Sequence, residues 1–164
     1  MTKLKELTPR SIGRSLDRAE HCRLRNEPWE AESICLDVLE VEPEHQEALV
    51  RLILSLTDQF QQDMSRLGEA RAAVGRLKDE YALLYYSGII EERAGKAHLT
   101  RNTPGSGAYR SLQKAMEWYE KAEAIRPLEN DDAILRWNTC VRQLTRLGHM
   151  EPVQEEPVSP MMLE

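Results

Sequence analysis

A run of basic residues in the second half of the chain is the feature best suited to chemistry. From Arg93 to Met116 the sequence holds five cations and no carboxylate, although the whole chain carries a net charge of −6. The glycine-rich stretch 103–107 leads into a predicted helix, and exposed N–H groups at a helix N-terminus attract anions. The candidate anion-binding residues are Lys96, Arg101, Ser106 and Arg110.

A phosphate group or an acidic peptide would suit the charge of this basic run, which spans residues 93–114. The run does not match a phosphate-binding P-loop, because the pattern G-x-x-x-x-G-K-[ST] is missing from the sequence. Two simpler interpretations stay open. The run forms a solvated loop, or its arginines pair with the acidic residues of neighbouring helices.

The other reactive residues do not indicate an enzyme. The three cysteines form no C-x-x-C pair, and the four histidines lie far apart without an H-E-x-x-H pattern. Neither a nucleophile elbow nor a dinucleotide fingerprint is present. We therefore expect no catalytic activity, no metal ion and no cofactor. We interpret the cysteines as buried, inert thiols; they are Cys22, Cys35 and Cys140.

Length and composition predict one helical domain in a reducing, cytoplasmic environment. The chain has 164 residues, of which 41% are hydrophobic, and this is enough to bury a core. Its negative charge argues against nucleic acid as a partner. No stretch approaches the roughly 18 apolar residues of a membrane span, and the N-terminus lacks the apolar segment of a signal peptide.

Apolar residues recur at helical spacing and no alternating strand pattern is present, so the sequence predicts an all-α fold. Thr8 and Pro9 form a helix start, Asn26 is expected to take a left-handed cap conformation, and Pro28 begins the second helix. We predict seven helices, at about residues 9–24, 28–42, 44–59, 65–78, 80–94, 108–125 and 130–146.

These helices define three regions of the chain. Residues 1–8 are an N-terminal extension, and residues 9–147 form the helical domain, which contains a long inter-helix loop at about 97–107. Residues 148–164 contain three prolines, four acids and no Lys or Arg, which predicts a disordered acidic tail. This tail could fold back onto the basic run, since the two have opposite charge.

Small and aromatic residues follow one another at fixed offsets in the middle of the domain. Gly88 and Gly95 lie seven residues apart in a helical stretch, and further sites follow at spacings of four, three and five: Ala115, Tyr119, Ala122 and Pro127. This pattern resembles the tetratricopeptide repeat (TPR) family, whose unit is a helix–turn–helix of about 34 residues. Weaker matches to the same unit begin near Ser11 and near His45.

The resemblance implies a right-handed α-solenoid of three helix pairs with the seventh helix as a C-terminal cap. In such an array each pair buries its apolar face only by stacking on its neighbour. Insertions within the second and third units depart from the 34-residue pattern. A generic all-α bundle is the competing interpretation.

The resemblance also implies a concave, peptide-binding groove along the first helix of each unit. An apolar lining with a few charges would accept a peptide with one or two apolar anchors. The alternative is that Val50, Leu54 and Ile89 pack against the seventh helix as core. The predicted groove residues are Val50, Leu54, Tyr85, Ile89, Glu92, Arg93, Leu135 and Arg142.

The sequence thus predicts a non-catalytic adaptor or chaperone-like module that binds a protein or peptide and acts as a monomer or weak homo-oligomer. Two other functions stay open. In one, the chain is a structural subunit of a larger assembly, with self-association of the chain as one form of it; in the other, the chain is a regulator that responds to an anion through residues 93–114.

Overall fold

The computed structural model describes residues 2–101 and 106–148 of the chain. Within these residues the structure has seven α-helices and no strand, which confirms the expected all-α fold. A 3₁₀ turn at Pro9–Ser11 leads into the first helix. The helices are α1 (Ile12–Leu24), α2 (Pro28–Val41), α3 (Gln46–Thr57), α4 (Arg66–Val74), α5 (Glu80–Thr100), α6 (Ser106–Ala124) and α7 (Asp132–Leu147).

The turn between α1 and α2 forms as its residue types predict. Asn26 has a φ of 61°, a left-handed conformation that asparagine tolerates better than most residues. The N–H of Glu27 donates a 2.8 Å hydrogen bond to the Cys22 carbonyl, which closes the end of α1. Pro28 then occupies the first turn of α2, where a missing N–H costs nothing.

The predicted loop at 97–107 is helical at both ends, which corrects the sequence-based boundary. Helix α5 continues to Thr100, and α6 begins at Ser106. Gly95 does not end α5, because it lies in close contact with α6, where a side chain would come within 3.1 Å of Leu112. Tertiary packing here outweighs the low helix propensity of glycine. Residues 102–105 of that loop and the predicted tail from residue 149 lie outside the described residues.

Each helix packs against the next one along the chain, and α3 also contacts both α1 and α5. Apolar faces of α1 to α5 form one core cluster, to which α5 contributes Ile90, Ala94 and Ala97 at helical spacing. The neighbouring residue Ile89 lies in a second cluster with α6 and α7. Helix α5 is therefore buried on two sides and joins the two parts of the core.

The second cluster depends on a close approach of α5 and α6. Gly88 faces the ring of Tyr119, and this tyrosine is fully buried together with Ala115 and Ala122. Ala133 and Cys140 of α7 complete the cluster. None of the helices described is both long enough and apolar enough to cross a lipid bilayer.

Candidate functional site

A cleft of about 460 Å³ lies across one face of the molecule, where α1, α3, α5 and α7 all contribute residues. We call it the polar cleft, because charged side chains dominate its lining. The lining carries four cations, Arg23, Arg93, Lys96 and Arg136, and two carboxylates, Glu20 and Asp58. Such a cleft suits a charged ligand group better than the apolar peptide anchors that the sequence predicted.

The charged residues form a ladder of ion pairs from α1 across α3 to α5. Arg23 Nε donates to Asp58 Oδ2 at 2.8 Å, and Arg93 Nη1 donates to Asp58 Oδ1. Arg93 Nη1 also lies 2.9 Å from the Thr57 hydroxyl. Because Asp58 bridges two arginines from different helices, it orients both guanidinium groups at the cleft.

A second part of the ladder holds Glu20 between α1 and α3. Glu20 Oε2 accepts from Arg23 Nη1 at 3.1 Å and from Arg51 Nη1 at 2.9 Å. Arg51 is held in turn by Glu47 at 2.7 Å. A guanidinium has five N–H donors, more than Arg23 uses in its contacts with Asp58 and Glu20.

A buried carboxylate supports the other side of the polar cleft. Glu92 is fully buried and accepts a 2.7 Å hydrogen bond from the Tyr119 hydroxyl. Its other oxygen pairs with Lys96 and lies 3.5 Å from Arg136 Nη1. Burial, with the negative charge of Glu92 beside it, raises the pKa of Tyr119 well above its usual range, so this hydroxyl stays a donor.

Half of the predicted groove residues lie in the core or pack against it. Ile89 is buried in the second cluster, and Leu54 and Tyr85 pack against it. Val50 packs against the first cluster. The alternative that these residues pack against the seventh helix as core therefore holds for Ile89 and Leu54, because their cluster includes residues of α7. These side chains are held in place by packing and do not line the polar cleft.

The charged members of the predicted groove divide between two environments. Arg93 lines the polar cleft, and Glu92 lies beneath it, bound to cleft cations. On α7, Leu135 has 61% of its surface exposed and Arg142 is also exposed. Neither of these two α7 residues lines the polar cleft, whose α7 contribution is Arg136.

The predicted anion-binding residues do not converge on one point. Lys96 lines the polar cleft, while Arg101 donates to the backbone carbonyls of Gln61 and Gln62 at 3.2 and 3.0 Å. Arg110 is exposed on α6, and the side chain of Ser106 lies outside the described residues. Arg93 pairs with Asp58 at the C-terminal end of α3, as the second open interpretation of the basic run expected, whereas Lys96 pairs with Glu92 of its own helix.

Sequence reasoning missed Arg23, Asp58 and Arg136. Arg23 and Asp58 are 35 positions apart, and Arg136 lies 44 positions from Glu92. Each is an ordinary charged residue within a helical pattern, so no local spacing marks it. The one available indication was the expectation that α1, α3, α5 and α7 lie side by side on the same face of the molecule.

The cysteines are buried, as predicted. Burial raises the pKa of Cys35 to about 12, and that of Cys140 to about 12 as well, because the interior disfavours the thiolate. Neither thiol is therefore activated as a nucleophile at neutral pH. Within the described part of the chain, no group of three or more His, Cys, Asp or Glu side chains is placed to hold a metal ion.

No protein-family model matches this chain, and no curated protein or solved structure matches it significantly. The resemblance to tetratricopeptide repeats therefore depends on the chain's own residues. The polar cleft is likewise interpreted from its own geometry and charge.

Proposed function

We propose that this chain is a non-catalytic, TPR-like helical-repeat protein that binds an acidic segment of a protein partner in the polar cleft. The single observation that carries the proposal is the convergence of Arg23, Arg93, Lys96 and Arg136 on one open cleft of about 460 Å³. Arginine and lysine at such a site are the side chains that recognise carboxylates.

The order of helix contacts supports a solenoid of helix pairs. Each helix contacts its successor, and α1 and α5 both contact α3, as stacked pairs require. The charged residues of the polar cleft come from α1, the C-terminal end of α3, α5 and α7, the helices that line the concave face in a TPR-like array, and Pro28 at the start of α2 also borders the cleft. A right-handed solenoid with α7 as its cap accounts for both features.

The charge balance of the polar cleft defines the partner's chemistry. The four lining cations exceed the two lining carboxylates, and the buried Glu92 beneath them reduces the excess to one positive charge. The ion-pair ladder fixes the guanidinium groups before a ligand arrives, which lowers the entropy lost on binding. A peptide segment with an Asp or Glu at its centre would fit the positive charge of the polar cleft. We propose that the chain binds such a segment as a cytoplasmic adaptor.

Selection from a random peptide library displayed on phage tests this proposal. We expect the enriched peptides to contain Asp or Glu, and a synthetic copy should bind the full chain with an affinity that falls as salt rises. In the R93Q/K96Q variant we expect at least a tenfold weaker affinity by fluorescence anisotropy. We expect the helices to persist in this variant, because Asp58 retains its ion pair with Arg23 and Glu92 retains its hydrogen bond from the Tyr119 hydroxyl.

The matched control is R14Q/R18Q, which removes two cations from exposed positions on α1. This variant makes the same change in net charge, so an effect of overall charge would appear in both. Equal affinity of the wild type and R93Q/K96Q for an enriched peptide would overturn the proposed site. Enrichment without acidic residues would overturn the proposed partner chemistry.

A second candidate function is that of a subunit in a larger assembly. Trp29 and Leu36 lie seven residues apart on α2, with 65% and 47% of their surfaces exposed. Residues at this spacing lie on one helix face, and exposed large apolar side chains mark contact surfaces. Light scattering over a range of concentrations should show a rising molecular mass that W29S/L36S abolishes; a constant monomer mass would count against self-association.

A further inference from the structure

A second cleft lies between α4 and α6, with α5 as its floor. Its volume is about 390 Å³, within the size range of ligand pockets. Val74 of α4, Leu83 and Ile90 of α5, and Trp118 of α6 provide apolar walls. We call it the α4–α6 cleft.

Two cations stand at the α4–α6 cleft on either side of one carboxylate. Glu91 is buried, and its Oε1 accepts from Arg71 Nη2 at 2.6 Å and lies 3.3 Å from Lys114 Nζ. Half of each cation's side-chain surface is exposed, 50% for Arg71 and 51% for Lys114. One carboxylate therefore balances only one of the two charges, and an acidic ligand would meet a positive field.

The outer face of α6 extends this positive field along one helix. Arg110 and Lys114 precede Trp118 at intervals of four residues, so all three share one face. Lys121 Nζ lies 4.7 Å from the centre of the Trp118 ring. Two carboxylates, Glu117 and Glu120, lie between Lys114 and Lys121 in the sequence, and Glu120 accepts a 3.1 Å hydrogen bond from Trp137 Nε1 of α7.

We propose that the C-terminal segment of this same chain, residues 149–164, occupies the α4–α6 cleft. The segment combines an apolar run, Met161–Leu163, with Glu155, Glu156 and Glu164, and it contains no Lys or Arg. The apolar run matches the apolar walls, and the acids match Arg71 and Lys114. This docking is independent of the polar cleft and of the function proposed for it.

The chain is long enough to make this contact. Helix α7 ends at Leu147 and packs against α6, and Met161 lies fourteen residue steps beyond Leu147. At about 3.3 Å per residue these can span roughly 46 Å, several times the ~10 Å diameter of the helix they must pass. Tethering gives the segment an effective concentration in the millimolar range, so a weak contact suffices.

Paramagnetic relaxation measured on methionine methyl groups of the full chain tests the docking. A nitroxide is attached at Q113C, beside Lys114, and the control nitroxide is attached at G13C on α1; both positions are exposed. The native thiols are buried and should stay unlabelled. We expect broadening of the Met161 and Met162 signals from the Q113C label and none from the G13C label. Unbroadened signals with the Q113C label would overturn the proposal.

Two further measurements test whether the docked segment belongs to the same chain and whether charge attraction holds it in the cleft. In a mixture of spin-labelled chains and separate carbon-13-labelled chains, broadening would show docking between copies and would overturn the intramolecular form. Charge reversal in K114E should reduce the broadening at least threefold, and R14E on exposed α1 should leave it unchanged. If K114E perturbs the fold, loss of broadening at high salt with unchanged helicity provides the same test.

Discussion

Replacing Gly88 with alanine would test how closely α5 and α6 approach one another. A Cβ atom built at Gly88 would lie 2.7 Å from Cδ1 and 2.9 Å from Cζ of Tyr119. Carbon atoms at optimal contact are about 3.5–4.0 Å apart, so either the ring or the helix must move. The Tyr119 ring is fully buried, and its hydroxyl is anchored on Glu92, so it has no free direction in which to turn.

Two opposing effects set the size of the change in stability. Alanine gains about 1 kcal/mol over glycine in a helix interior, whereas overpacking a filled core costs about 1–3 kcal/mol. A shift of the Tyr119 ring would also stretch its hydrogen bond to a buried charge, worth about 1.5–3 kcal/mol. We expect a net loss of about 2 kcal/mol in the free energy of unfolding, or roughly 4–8 °C in Tm for a domain of this size.

Urea denaturation followed by circular dichroism measures this loss, and Gly68→Ala is the matched control. Gly68 lies in α4, and a Cβ atom there would meet nothing within 4 Å. Helix propensity should then dominate and stabilise that variant by roughly 0.5–1 kcal/mol. If Gly88→Ala gained as much stability as Gly68→Ala, the inferred contact between Gly88 and Tyr119 would be wrong.

Two more predictions concern the buried polar groups. Burial raises the pKa of Cys35 and Cys140 from 9.0 to about 12. Above pH 9 the unfolded chain loses these protons and the folded chain keeps them, so stability is complete below pH 9 and falls up to pH 12. The slope is at most roughly 1.4 kcal/mol per pH unit for each thiol. Denaturation at several pH values should show a smaller slope in C35A/C140A between pH 9 and 10, below the range in which the buried tyrosines contribute. Tyr119→Phe should cost about 1.5–3 kcal/mol because Glu92 loses a donor; an unchanged urea midpoint would show that Glu92 does not need this donor.

The helices could be predicted because their signals are local. Pro28 and Asn26 mark the first turn through backbone restrictions that act within a few residues. Gly88 and Tyr119 were identified by spacing, and the structure places them in direct contact. The predicted end of α5 at about residue 94 was wrong, because the close packing of Gly95 against α6 favours continuation of the helix and leaves no local signal.

The polar cleft could not be predicted, because its residues come from five helices and from the segments between them. Periodicity places Ile89 and Glu92 on a helix face, but it does not say whether that face meets solvent or another helix. Both are buried, since α6 and α7 pack over that side of α5. The pairing of Asp58 with Arg23 and Arg93 depends on the stacking of α1, α3 and α5, which carries no local signature.

The sequence by itself determined the all-α class, the turn at Asn26 and the small residues that let α5 and α6 approach, because these depend on local propensity and side-chain size. Only the tertiary structure decided which charges face one another. Placing Arg23, Arg93 and Arg136 at one cleft requires the relative positions of α1, α5 and α7, which result from core packing among distant segments.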